Sequence, residues 1–101
     1  MPSVIITEAA RADVVRLRAF LREHSPQAAF RLGHTLADAF DLLARSPRLG
    51  RPVESVAGLH RLVIPFGAGG YVLHYRYHTD ANALHVLRIR HSRENGNPPL
   101  E

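Results

Sequence analysis

Neither cysteine nor lysine occurs among the 101 residues. Without cysteine the chain can build no disulfide framework and no thiolate metal site. Without lysine it carries no lysine nucleophile, no Schiff base and no P-loop. Long apolar runs are missing too, since no stretch approaches the roughly 20 residues of a membrane span. The start, Met1-Pro2-Ser3-Val4-Ile5-Ile6-Thr7-Glu8, has neither the basic opening nor the apolar stretch of a signal peptide. A soluble cytoplasmic protein is the expectation these absences leave.

What is present is arginine. All 13 basic residues are arginine, the formal net charge is +4 and the isoelectric point is about 10.6. Arginine stays charged and offers a planar fork of donors to carboxylate or phosphate. A GC-rich coding sequence, which favours arginine over lysine, accounts for most of these positions. Apolar residues make up 46% of the chain, enough for one modest core. That size and composition predict a single domain.

Ser3 to Ile6 is short, β-branched and apolar, and predicts a strand. Thr7 can cap a helix behind it. From Glu8 the period changes: Ala10, Val14, Leu17 and Leu21 share one helical face. Ser25-Pro26 is a helix restart, serine as cap and proline at the first turn. The next helix carries Ala29, Leu32, Leu36, Phe40 and Leu43 and should stop near Ser46, because Pro47 disfavours helical geometry before it. Residues 47–58 read as a loop and Leu59 to Ile64 as a strand. Pro65 to Gly70 reads as a flexible turn. Tyr71 to Tyr77 alternates Tyr71, Leu73, Tyr75 and Tyr77 against Val72, His74 and Arg76. Thr79 to Asn82 is a hairpin turn, and Leu84 to Arg90 is the last strand. The predicted fold is α+β in the order β-α-α-β-β-β. An antiparallel meander takes the first strand at an edge, and a helical hairpin covers one face. The domain is expected over residues 1–93, with a polar tail over 94–101 in which Leu100-Glu101 has the look of a vector scar.

Read together, these segments resemble a known family. The carriers are Thr7-Glu8-Ala9-Ala10-Arg11-Ala12-Asp13, Ala28, Leu43 to Gly50, Leu59-His60-Arg61-Leu62, Tyr71-Val72-Leu73-His74-Tyr75-Arg76, and Val86 to Arg93. Their order and spacing resemble the ParE/RelE toxins of bacterial type II toxin–antitoxin systems, nearly end to end. The resemblance implies the same β-α-α-β-β-β fold. It also implies one of two activities. RelE-type members cut messenger RNA on the ribosome, whereas ParE-type members act on DNA gyrase. Both are held inactive by an antitoxin.

Cleavage through a 2′-hydroxyl needs a base, an acid and cations around the phosphate. Nuclease members have an arginine where this chain has Val72 and often a tyrosine where it has Ser92; lysine is lacking altogether. Arg61 and His91 do match positions that some nucleases use. The ParE branch is therefore favoured, with a ParD-like antitoxin as partner, gyrase as target and no cofactor. Opposite fields speed association, so the antitoxin's toxin-binding segment should be acidic. Its apolar side chains should fill the groove beside the helical hairpin. The alternatives are a ribosome-dependent nuclease using Arg61, His91 and Arg93, and a non-toxic partner of an antitoxin. A general nucleic-acid module is weaker, because no recognition helix accompanies the arginines.

Each candidate also has a plain structural reading. His91 is either a general base or a strand-end histidine capping the sheet. Arg61 either points into a groove or pairs with an acid such as Glu54. Arg88, Arg90 and Arg93 form either a basic rim for a target or charges that protect an edge strand from aggregation. Tyr71, Tyr75 and Tyr77 suit packing better than base stacking. His60, His74, His78 and His85 show no defensible ligand spacing; His74 and His78 share strand parity, a weak hint of a metal pair. Asp38, Asp41, Glu8 and Asp13 read as solvated helix faces.

Overall fold

Thr7 both closes the first strand and opens the first helix. Its hydroxyl accepts the Ala10 N–H at 3.2 Å, satisfying one of the helix's orphan donors. Strand β1 spans Ser3–Ile6 and helix α1 Glu8–Arg22. Ser25 repeats the device: its Oγ accepts the Ala28 N–H, Pro26 takes the first turn, and α2 runs Pro26–Arg45. The computed structural model describes residues 1–94, and the sequence-predicted tail beyond Glu94, with Leu100-Glu101, lies outside the described residues.

The other strands are β2 (Arg51–Pro52), β3 (Leu59–Phe66), β4 (Gly69–His78) and β5 (Ala83–His91), in a sheet of order β1-β5-β4-β3-β2. β1 lies parallel to β5, and every other pair is antiparallel. This is the expected meander with the first strand at an edge. Both helices lie on one face of it. Leu32, Leu36 and Leu43 of α2 pack with Leu17 of α1 against Leu73 and Tyr75, all buried. The two helices are also tied directly. Arg18 donates to the Ala29 carbonyl at 3.1 Å and lies over Gly33, where a side chain would crowd its guanidinium.

Two sequence-predicted segments differ. Residues 47–58 were expected as loop throughout, yet Arg51–Pro52 forms a short fifth strand on β3. It is held by Gly50, whose N–H donates to the Tyr75 hydroxyl at 2.8 Å. The six-residue turn predicted over Pro65 to Gly70 shrinks to Gly67-Ala68, because Phe66 pairs with Gly69 and Pro65 with Gly70. Gly67 takes φ +59°, the conformation that two-residue hairpins require. Pro65 is tolerated because β2 covers β3 only at His60 and Arg61, leaving an open edge where a missing N–H costs nothing.

One irregularity sets the side-chain directions in β5. His74 pairs with Arg88 and Tyr75 with Val86, so Leu87 is an extra residue, a β-bulge. Val86 and Ile89 are both fully buried although three positions apart, which strict alternation forbids.

A Cβ at Gly50 would meet the Arg61 carbonyl and the Tyr75 ring, each at 2.7 Å. Gly50→Ala should therefore lose about 1–3 kcal/mol of stability. Urea unfolding checks it; an unchanged midpoint would refute the packing described.

Candidate functional site

Asp13 is the most deeply buried charged residue described, 3% exposed in the middle of α1. Its Oδ2 accepts from Arg88 Nε at 2.8 Å and from the Ile89 N–H at 2.8 Å, while Oδ1 accepts from Arg88 Nη2 at 2.9 Å. This fork is the strong bidentate geometry of arginine with carboxylate. Burial pushes the Asp13 carboxyl up, but the bonds from Arg88 and Ile89 and the charges of Arg88 and Arg16 outweigh it and hold the pKa below 3.8. Two sequence readings are corrected here. Asp13 is no solvated helix residue, and Arg88 is no rim residue, because its guanidinium is bound to Asp13. Asp38, Asp41 and Glu8 are exposed as expected.

The candidates at the end of β5 border a groove. Leu17, Phe20 and Leu21 of α1 face Tyr71, His91, Arg93 and Glu94, and Arg16 stands at the rim; its volume is about 620 Å³. Phe20 is 64% exposed, a large aromatic ring left in water beside an apolar floor. His91 packs edge-on against Tyr71 at 5.2 Å. The Arg93 N–H donates to His91 Nδ1 at 3.1 Å, which places the neutral ring's proton on Nε2. Glu94 latches this end: its carboxylate accepts from the His91 N–H at 2.7 Å and from Arg16 at 3.1 Å. Sequence reasoning named His91 and Arg93 but missed Phe20 and Glu94. Phe20 carried a signal, an aromatic residue off the apolar stripe of α1.

Arg61 lies elsewhere. It pairs in register with His74, which pairs with Arg88, and by alternation all three start from the face away from the helices. Arg88 then reaches round the open edge of β5 to Asp13. Val63 and Val72 share that face, and so does Arg90, opposite Val72. Arg61 forms no ion pair with Glu54 or any other acid among the described residues. His74 is 4% exposed, and burial first, then the charges of Arg90 and Arg61, push its pKa below 6.5. Tyr71 and Tyr75 are buried packing residues, as expected. His74 and His78 gather no third ligand, and among the described residues no group of three or more metal-ligating side chains exists.

The family model described as the ParE toxin of the type II toxin–antitoxin system, parDE, matches residues 4–96. This chain belongs to the ParE toxin family. It is 38% identical over 92 residues to Toxin RelE1 of Caulobacter vibrioides, covering 91% of this chain and 95% of the relative. It is 38% identical over 94 residues to Toxin RelE3 of the same organism, covering 93% and 98%. Among solved structures it is similar to the toxin–antitoxin complex RelBE2 of Mycobacterium tuberculosis, with a TM-score of 0.58, 26% identity, and 90% and 99% coverage. The α+β fold expected from sequence is thus the fold of the ParE/RelE superfamily. No described helix is long and apolar enough to cross a membrane.

Two effects of pH are expected. Asp13 contributes stability that is present above 3.8 and lost as pH falls through its lower folded value. Asp13→Ala should cost about 3–5 kcal/mol at neutral pH, because Arg88 loses its partner. The gap from the unsubstituted toxin should close in acid, as urea unfolding from pH 7 to 2.5 would show. His74 acts in the same direction at higher pH. Its folded pKa lies below 6.5, so its contribution is present above 6.5 and lost as pH falls through the folded value. Stability between pH 7.5 and 5 should fall more steeply than in His74→Leu; parallel curves would refute this.

Proposed function

We propose that this toxin works by binding its target rather than by cutting RNA, that the target is DNA gyrase, and that a ParD-like antitoxin neutralises it. One observation carries the binding reading. A nuclease built from Arg61, His91 and Arg93 needs all three around one phosphate, yet they do not converge. His91 and Arg93 border the groove beside α1, whereas Arg61 stands on the opposite face of the sheet. On Arg61's face the nearest positions are His74, buried and with its pKa pushed below 6.5 by burial and by the charges of Arg90 and Arg61, and Val63 and Val72, which supply neither proton nor charge. In addition, the lone pair of His91 Nδ1 already accepts a backbone N–H. Gyrase itself is what the ParE resemblance implies.

The groove suits the antitoxin. Its floor is apolar and its rim carries Arg93 and His91 beside the Arg16–Glu94 ion pair, which leaves Arg93 as the exposed cation and favours an amphipathic segment with an acidic side chain. Phe20 is exposed and can be replaced without opening the core. Phe20→Ala should weaken antitoxin binding by about 2 kcal/mol, roughly 30-fold, and leave the melting temperature nearly unchanged. Titration calorimetry with the neighbouring gene's product checks this. Unchanged affinity would move the antitoxin off this groove.

The second reading is a ribosome-dependent nuclease, favoured by the RelE names of the curated relatives. Supercoiling by purified gyrase decides between the two. Inhibition by the toxin, relieved by the antitoxin, establishes the gyrase reading. Unchanged supercoiling together with messenger RNA cleavage on ribosomes, lost in His91→Ala, establishes the other.

A further inference from the structure

We propose that Arg16 is a carboxylate-binding position for the antitoxin, and that Glu94 fills it in the free toxin as a stand-in for an acid of the partner. This rests on the reading that the antitoxin lies in the groove beside α1. A carboxylate is already seated at that position. Glu94 Oε2 accepts from Arg16 Nη1 at 3.1 Å, and both residues line the groove with Leu17, Phe20 and Leu21. The charge of Glu94 is felt on the groove wall, where burial first, and then that charge, push the Tyr71 hydroxyl up.

Arg16 is held ready for such a group. Its Nη2 lies 3.5 Å from Asp13 Oδ1, and Asp13 is itself fixed by Arg88 and the Ile89 N–H. The guanidinium is therefore anchored on one side and offers Nη1 on the other, so it loses less freedom when an acid binds. The two ion pairs at this end of the sheet have different fates. Asp13–Arg88 is bidentate on a buried carboxylate, and opening it would strand a charge. Arg16–Glu94 has one hydrogen bond, and its side chains are 49% and 37% exposed. A pair so open to water is worth a factor of about five at most, which an incoming carboxylate offsets by taking the same place. Releasing Arg16 does not unfasten the end of β5. Glu94 keeps its other carboxylate oxygen on the His91 N–H at 2.7 Å, and its own N–H on the His91 carbonyl at 3.0 Å. The exchange also selects partners. An antitoxin with an acid at this point takes over Arg16, whereas one without it leaves the Glu94 carboxylate standing in the groove.

The test is a double-mutant cycle read by titration calorimetry of the full toxin chain with the neighbouring gene's product. Glu94→Gln keeps an oxygen for the His91 N–H and removes the charge, and should tighten binding about threefold to fivefold. In an Arg16→Gln background the same change should alter affinity by less than about twofold, because the vacated position has lost its cation. Both side chains are largely in water, so the variants keep the fold. An equal gain in both backgrounds would reduce Glu94 to simple repulsion of an acidic partner, and no gain in either would remove the exchange; each result overturns the proposal. Phe20→Ala, titrated alongside, tells its failure from that of the groove reading. Weaker binding by Phe20→Ala without a gain in Glu94→Gln sinks the Arg16 position alone. Unchanged affinity in Phe20→Ala sinks the groove reading and this position with it.

Discussion

Past Val86, strand β5 has lost its neighbour on one side, because β1 ends at Ile6. Backbone groups there face the inside of a small protein, where an unsatisfied donor costs about 1–3 kcal/mol. Helix α1 satisfies them. The Thr7 N–H donates to the Val86 carbonyl, the Thr7 hydroxyl to the Leu87 carbonyl, and the Ile89 N–H donates to Asp13. A strand edge is thereby closed by a helix cap and one carboxylate. The carboxylate needs a counter-charge at that depth, and Arg88 supplies it. The start of α1, the bulge at Leu87 and the direction of β5 are therefore set together.

That closure divides the arginines between two surfaces. With Arg88 turned toward α1, the end of β5 delivers His91, Arg93 and Glu94 to the groove beside Leu17 and Phe20. Arg90 goes the other way, to the open face shared with Arg61 and His74. One basic cluster in the sequence is thus divided between the two sides of the sheet. The groove is apolar with a charged rim, the character of a protein interface; the open face is cationic around a buried neutral imidazole.

The helices were legible because their signals are local. Thr7 and Ser25 are caps, Pro26 fixes a first turn, and the stripes of Leu17 and of Leu32, Leu36 and Leu43 repeat with the helical period. The meander was legible because β4 alternates cleanly. The short strand at Arg51–Pro52 was not, since its support is the Tyr75 hydroxyl, 25 residues away in the chain. The tight hairpin at Gly67-Ala68 was hidden by a composition that marks a turn without marking its length.

The sequence by itself determined the family, the order of elements and the chemistry available: arginine in place of lysine throughout, no thiol, and a histidine at a strand end. Those depend on residue type and short-range spacing. Only the tertiary structure decided which charges are free to act. Asp13 reads as an ordinary surface acid until 75 residues of chain bring Arg88 against it. Arg61 and His91 read as partners until the pleat of the sheet places them on opposite faces. Both outcomes rest on long-range register, shifted here by the single extra residue Leu87, and local pattern carries no record of it.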